Sequence, residues 1–151
     1  MAFKIGEKGL DLIKSFESLS LKAYKGPGEA YYTIGYGHYN KDVKATDVIT
    51  KKEAEKLLKS DLSYAVSKVN SYACPKYKLN QNQFDALVSY LYNRGIKGFT
   101  ELISNSDTVK DLSKNIVVYW GTNEKVKKGI MRRRNAEKSL FDTPVEVKKS
   151  K

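Results

Sequence analysis

The sequence predicts an α+β fold, and three observations carry that reading. The first is Thr33-Ile34-Gly35-Tyr36-Gly37-His38, a run of β-formers broken by two glycines and preceded by the turn signal Gly26-Pro27-Gly28. The second is the longest helical period in the chain, over residues 50–72. The third is that only helical period follows Cys74-Pro75. A small antiparallel sheet lobe over residues 18–49 is therefore expected, joined by the long helix to a helical lobe over 76–143 that also takes in the N-terminal helix. Together these make one two-lobed domain over 1–143, with a basic tail at 144–151.

Each element has its own warrant. Residues 7–17 form a short amphipathic helix in which Leu10, Ile13 and Glu17 fall at i, i+3 and i+7 on one face. Ser18 to Lys25 begins a strand, with Leu19, Leu21 and Ala23 alternating against Ser20, Lys22 and Tyr24. From Glu29 the chain is extended, so Glu29, Tyr31 and Thr33 share one strand face. Tyr39 to Asp42 makes a second turn, and Val43 lies in a short return strand. Thr50 and Glu53 match a capping box, after which Ala54, Leu57, Leu58, Leu62, Ala65, Val66 and Val69 run at helical spacing. In the second half Asn82 caps a helix that stops at Gly95, and a short helix covers Phe99 to Ser104. Another runs from near Asp107 through Trp120, which belongs to the core, and the last spans about 126–141.

Composition limits the possible chemistry. One cysteine, Cys74, excludes an internal disulfide framework, and one histidine argues against a histidine-based zinc site. Cys74 fits a small buried apolar position. No cofactor or metal is expected. The 11 tyrosines supply amphipathic surface that can stack on sugar rings or bases, and the net charge of +11 predicts polyanionic partners. No nucleic-acid-binding motif accompanies that charge, so nucleic acid is not an expected partner. The N-terminus lacks a signal-peptide core.

Glu17 is the first chemical candidate, because a carboxyl group in line with core positions can serve as a proton donor. Lys14-Ser15-Phe16-Glu17, Leu21-Lys22-Ala23-Tyr24 and the Thr33–His38 run resemble the phage-type lysozymes and endolysins of glycoside hydrolase family 24. So do residues 49–55, residues 79–89, Tyr92-Asn93-Arg94-Gly95, Trp120 and residues 132–141. The resemblance implies a lysozyme-like fold with a cleft between lobes. It also implies hydrolysis of the β-1,4 bond between N-acetylmuramic acid and N-acetylglucosamine in bacterial peptidoglycan. By motif match Glu17 takes the place of the family's general acid, and Thr33 that of the threonine that helps hold the attacking water. Family spacing would put an aspartate at position 26, where this chain has Gly26, and the segment between Glu17 and Thr33 carries one extra residue. Its other acid is Glu29, which is expected to replace that aspartate. Tyr36 and Asn93 are candidate substrate contacts. His38 is expected to pair with Asp61 as structural support. Arg132, Arg133 and Arg134 are read either as a solvated helix face or as the source of an arginine that pairs with Glu17.

Cleavage of a glycosidic bond needs one acid for the leaving oxygen and a second group to answer the developing positive charge. A wide carboxyl separation, about 6.5–9.5 Å, leaves room for a water and gives inversion; the resemblance favours this arrangement. Two alternatives differ in class. A lytic transglycosylase would use Glu17 alone, and a non-catalytic cationic module would only bind the cell wall. The protein is expected to be a monomer that waits in the host cytoplasm and is released to the wall by a holin-type membrane partner.

Overall fold

The computed structural model describes residues 2–146; the predicted basic tail falls outside the described residues from 147 onward. The chain divides into two compact units, one holding Ile13–Tyr64 and the other the chain up to Leu12 and from Ala65 onward. The fold is α+β.

The first elements are helix α1 (Glu7–Phe16), strands β1 (Ser20–Tyr24), β2 (Tyr32–Gly35) and β3 (His38–Asn40), and helix α2 (Lys51–Tyr72). The strands form an antiparallel sheet in the order β1-β2-β3. Tyr24 pairs with Thr33 and Ser20 with Gly35, with a register shift between those pairs. Thr33 also pairs with Tyr39, and Ile34 with His38. Thr33 thus sits on a strand bonded along both edges. Gly35 (φ 68°) and Gly37 (φ 90°) flank Tyr36 where β2 turns into β3, a left-handed geometry that glycine adopts without strain. The glycine-rich run is therefore a hairpin corner. The end of β2 lies against α2, since a Cβ on Gly35 would be 3.4 Å from the Ala54 Cβ. Ile13, Ile34, Tyr36, Val43, Ala54, Leu58 and Leu62 are the buried apolar side chains of this unit.

Two expectations about this unit are corrected. Val43 is buried but lies outside any strand; the outer edge of β1 is met instead by residues 47–49, through Ala23 N–H to Asp47 O at 3.1 Å and Ile49 N–H to Leu21 O at 2.9 Å. Glu29 is not on the face of β2. Its N–H donates to Gly26 O at 3.2 Å and closes a turn with Pro27 and Gly28 (φ 78°) at its centre, the pattern of a type II turn.

The other unit is helical. Helix α3 (Gln81–Ser104) is kinked at Gly95 (φ 84°, ψ 171°), where the sequence predicts a helix end. Its cap is Asn80, not Asn82: Asn80 accepts from the Gln83 N–H while the Gln83 side chain accepts from the Asn80 N–H. Asn82 is buried within the helix and donates to Thr143 O. Around α3, Phe84, Leu87, Val88, Tyr90, Leu91, Phe99 and Leu102 are buried, as expected of a central helix that packs on several sides. Helix α4 (Val109–Ile116) opens on a Thr108–Asp111 capping box, and α5 (Glu124–Asp142) packs against α3 and α4. Because α4 ends at Ile116, Trp120 lies in the loop before α5 and is half exposed, not in the core.

An acid on α3 anchors the start of α1. Asp85 accepts from Gly6 N at 2.9 Å and Gly9 N at 3.3 Å, and Gln81 Nε2 donates to it at 2.8 Å. These satisfy donors that a helix start leaves open. A Cβ on either glycine would sit 2.6 Å from an Asp85 atom, so the contact requires glycine at both positions.

Candidate active site

Glu17 follows the last turn of α1, its N–H still donating to Ile13 O at 3.1 Å. It is half-buried, in line with its place one helical face on from buried Ile13. Its carboxylate faces the β2–β3 hairpin: a Cβ on Gly37 would lie 3.5 Å from Glu17 Oε2. Thr33, on the central strand, is 7 % exposed. Tyr36, expected to meet substrate, is buried at the hairpin tip, with Lys14 Nζ 5.9 Å from its ring centre. Lys14 also pairs with Glu55 on α2, and its hydrogen bond and charge hold the Glu55 carboxyl below the usual carboxylate range.

His38 and Asp61 are brought together. Nδ1 of His38 lies 2.9 Å from Asp61 Oδ2 and 3.0 Å from Oδ1, and its Nε2 is 3.6 Å from Asp42 Oδ1. The first residue of β3 is thereby tied to α2, which fixes the hairpin that carries Thr33.

Glu29 lies in the exposed Gly26–Glu29 turn, where its Oε1 accepts from Gly26 N at 2.7 Å. The turn is held further on by Tyr39, whose hydroxyl oxygen accepts from Ala30 N at 3.1 Å and Tyr31 N at 3.2 Å.

In the helical unit, Asn93 is exposed and its Oδ1 accepts from Arg134 NH2 at 2.8 Å. Arg134 in turn reaches Glu137, with Nε 2.7 Å from Oε1 and NH2 3.0 Å from Oε2, and its guanidinium stacks 4.8 Å from the Tyr90 ring centre. Arg133 Nε lies 3.4 Å from Glu137 Oε2, and the Ser89 hydroxyl donates to the same oxygen at 2.6 Å. Burial excludes a solvated face for Arg133 and Arg134, while Arg132 is exposed. Sequence reasoning missed Glu137 and Asp85. The Arg-Arg-x-x-Glu spacing of 133–137 offered a signal for the first, since i+3 and i+4 share a helix face. Nothing local marked the second. Cys74 is half-buried, its Sγ 3.7 Å from Asn70 Oδ1, and burial pushes its thiol up.

Among the described residues no group of three or more His, Cys, Asp or Glu is placed to hold a metal ion, and no helix is long and apolar enough to cross a membrane.

Comparison with known proteins bears on what this arrangement is. The model of the family described as phage lysozyme matches residues 14–137. An endolysin of Bacillus phage PZA is 43% identical over 95% of this chain, and this chain spans 58% of that relative's length. An endolysin of Acyrthosiphon pisum secondary endosymbiont phage 1 is 36% identical, with 92% of this chain and 98% of the relative covered. Among solved structures, the muramidase domain of SpmX from Asticaccaulis excentricus superposes with a TM-score of 0.78 at 35% identity, covering 93% of this chain and 99% of that one. The endolysin from Escherichia coli O157:H7 phage FAHEc1 gives the same TM-score at 32% identity, over 97% and 98% of the two chains. The matched span runs from the helix that delivers Glu17 to the buried Glu137, and on that span this chain belongs to the phage lysozyme family.

Proposed function

We propose that this chain is a muramidase of the endolysin type. It hydrolyses the β-1,4 bond between N-acetylmuramic acid and N-acetylglucosamine in bacterial peptidoglycan. The observation that carries this reading is the Glu17 carboxylate set against a glycine-cornered hairpin whose central strand bears Thr33. Membership of the family, with relatives named endolysin and muramidase, supports it.

In this mechanism Glu17 is the general acid. It gives its proton to the glycosidic oxygen as the bond from the anomeric carbon to that oxygen breaks. A water attacks the anomeric carbon from the opposite face. Thr33 holds that water through its hydroxyl, and Glu29 takes its proton, so the product is inverted and both acids return to their starting states after proton exchange with solvent. Tyr36 and Asn93 contribute to substrate binding, Tyr36 by shaping the hairpin corner and Asn93 by offering its amide to the sugar's acetamido group. The protein acts as a monomer. It waits in the host cytoplasm until a holin-type partner opens the membrane.

The test is mass spectrometry of purified peptidoglycan digested by the wild type and by Glu17→Gln. Reducing N-acetylmuramic ends in the first digest and none in the second are expected. Anhydro ends would overturn hydrolysis in favour of a lytic transglycosylase working through Glu17 alone. Binding to walls by both proteins with no products from either would reduce the chain to a cell-wall-binding module.

A further inference from the structure

The turn at residues 26–29 places its acid in an unusual position. A Cβ built on Gly26 would lie 2.2 Å from Glu29 Oε1 and 3.1 Å from its Cδ. The first figure is far inside van der Waals contact; it is the kind of separation found between atoms two bonds apart in one side chain. The Glu29 carboxylate therefore fills the space that a side chain on residue 26 would occupy. Four hydrogen bonds fix the acid and the turn that carries it. The Gly26 N–H donates to Oε1 at 2.7 Å, the Glu29 N–H closes the turn onto Gly26 O at 3.2 Å, and the Tyr39 hydroxyl pins the next two backbone N–H groups. Gly28 at φ 78° supplies the left-handed residue the turn requires.

From this geometry we infer that Gly26 is a positioning residue, whose N–H and missing side chain seat the Glu29 carboxylate at the place of a residue-26 acid. The inference rests on the reading of Glu29 as the second acid of the reaction. Gly26 is not among the residues with positive φ, so alanine fits its backbone; the added methyl group meets only the end of a flexible, exposed side chain. Gly26→Ala is thus expected to move the carboxylate while leaving the fold intact.

The experiment is a double-mutant cycle on peptidoglycan hydrolysis with Gly26→Ala, Glu29→Gln and the pair together. Loss of a proton-accepting group and misplacement by about 1 Å each cost on the order of 100-fold in kcat. Both single variants should show that loss with KM and thermal midpoint close to wild type. The double variant should be no worse than Glu29→Gln, because Gly26 acts through Glu29. A readout independent of turnover is the Gly26 amide proton in NMR, whose chemical shift in the wild type should differ from that in Glu29→Gln, where the carboxylate acceptor is gone. Gly26→Asp combined with Glu29→Gln should recover activity over Glu29→Gln alone. Full activity in Glu29→Gln would sink the role of Glu29, and the inference with it. Loss in Glu29→Gln but full activity in Gly26→Ala would overturn the inference and leave that role standing. A Gly26→Ala loss that multiplies with that of Glu29→Gln would also overturn it, as a sign of general damage to the turn.

Discussion

Replacing Glu137 by glutamine tests the account of the helical unit most severely. The Glu137 side chain is fully buried between Arg134 and Arg133, whose side chains are 2 % and 6 % exposed. Its Oε2 accepts from Arg134 NH2 at 3.0 Å, from Arg133 Nε at 3.4 Å and from the Ser89 hydroxyl at 2.6 Å, while its Oε1 lies 2.7 Å from the Arg134 Nε charge. Glutamine keeps the shape but removes the negative charge and turns one acceptor into a donor aimed at a guanidinium. Breaking a buried pair from one side leaves desolvated charge behind and costs about 3–5 kcal/mol. For a chain of this size each kcal/mol is worth roughly 2–4 °C, so the midpoint should fall by roughly 6–20 °C. Urea and thermal unfolding followed by far-UV circular dichroism measure both quantities. The exposed pair Lys138–Asp142, 2.9 Å apart on the same helix, is the control; Lys138→Gln should cost about 1 kcal/mol or less. A Glu137→Gln protein within about 1 kcal/mol of wild type would refute the reasoning.

Two further outcomes follow from the other acids. Burial holds the Asp85 carboxyl above its ordinary range, against the lowering effect of the donors from Gly6, Gln81 and Gly9. The folded state then binds the proton more tightly than the unfolded state, so the stability Asp85 contributes is largest at low pH and declines as pH rises through that raised value. Measured from pH 4 upward in about half-unit steps, the stability of wild type relative to Asp85→Asn should decrease; a flat difference would contradict the assignment. Asp111 behaves in the opposite sense, because the backbone N–H groups of Thr108 and Asp107 hold its carboxyl below the usual range. Its contribution is present at neutral pH and lost as pH falls through the lowered value. Asp111→Asn should therefore flatten the acid side of the unfolding profile, and an unchanged acid limb would count against the cap.

Local pattern determined much of this protein. The Thr50–Glu53 box, the helical period that follows it and the β-former run with its two glycines each use contacts a few residues apart. The sequence alone therefore specified α2, the strand bearing Thr33 and the acid at the end of α1. The same locality explains the failures. A run of alternating residues from Glu29 reads as a strand, but the backbone bond from Glu29 to Gly26 bends it into a turn. Trp120 reads as core by size, yet α4 stops four residues earlier and leaves it at the surface. Tertiary structure alone decided where the charges went: Asp85 lies 76 residues from the Gly9 amide it accepts from, and Ser89 lies 48 from Glu137. Burying such groups is costly unless partners from other helices meet them, and no short stretch of sequence records which partners those are. The seat of Glu29, the proposed second acid, is local by contrast, fixed by the Gly26 N–H three residues earlier. Sequence named Glu29, while the empty side-chain space of Gly26 gave its carboxylate a place to sit.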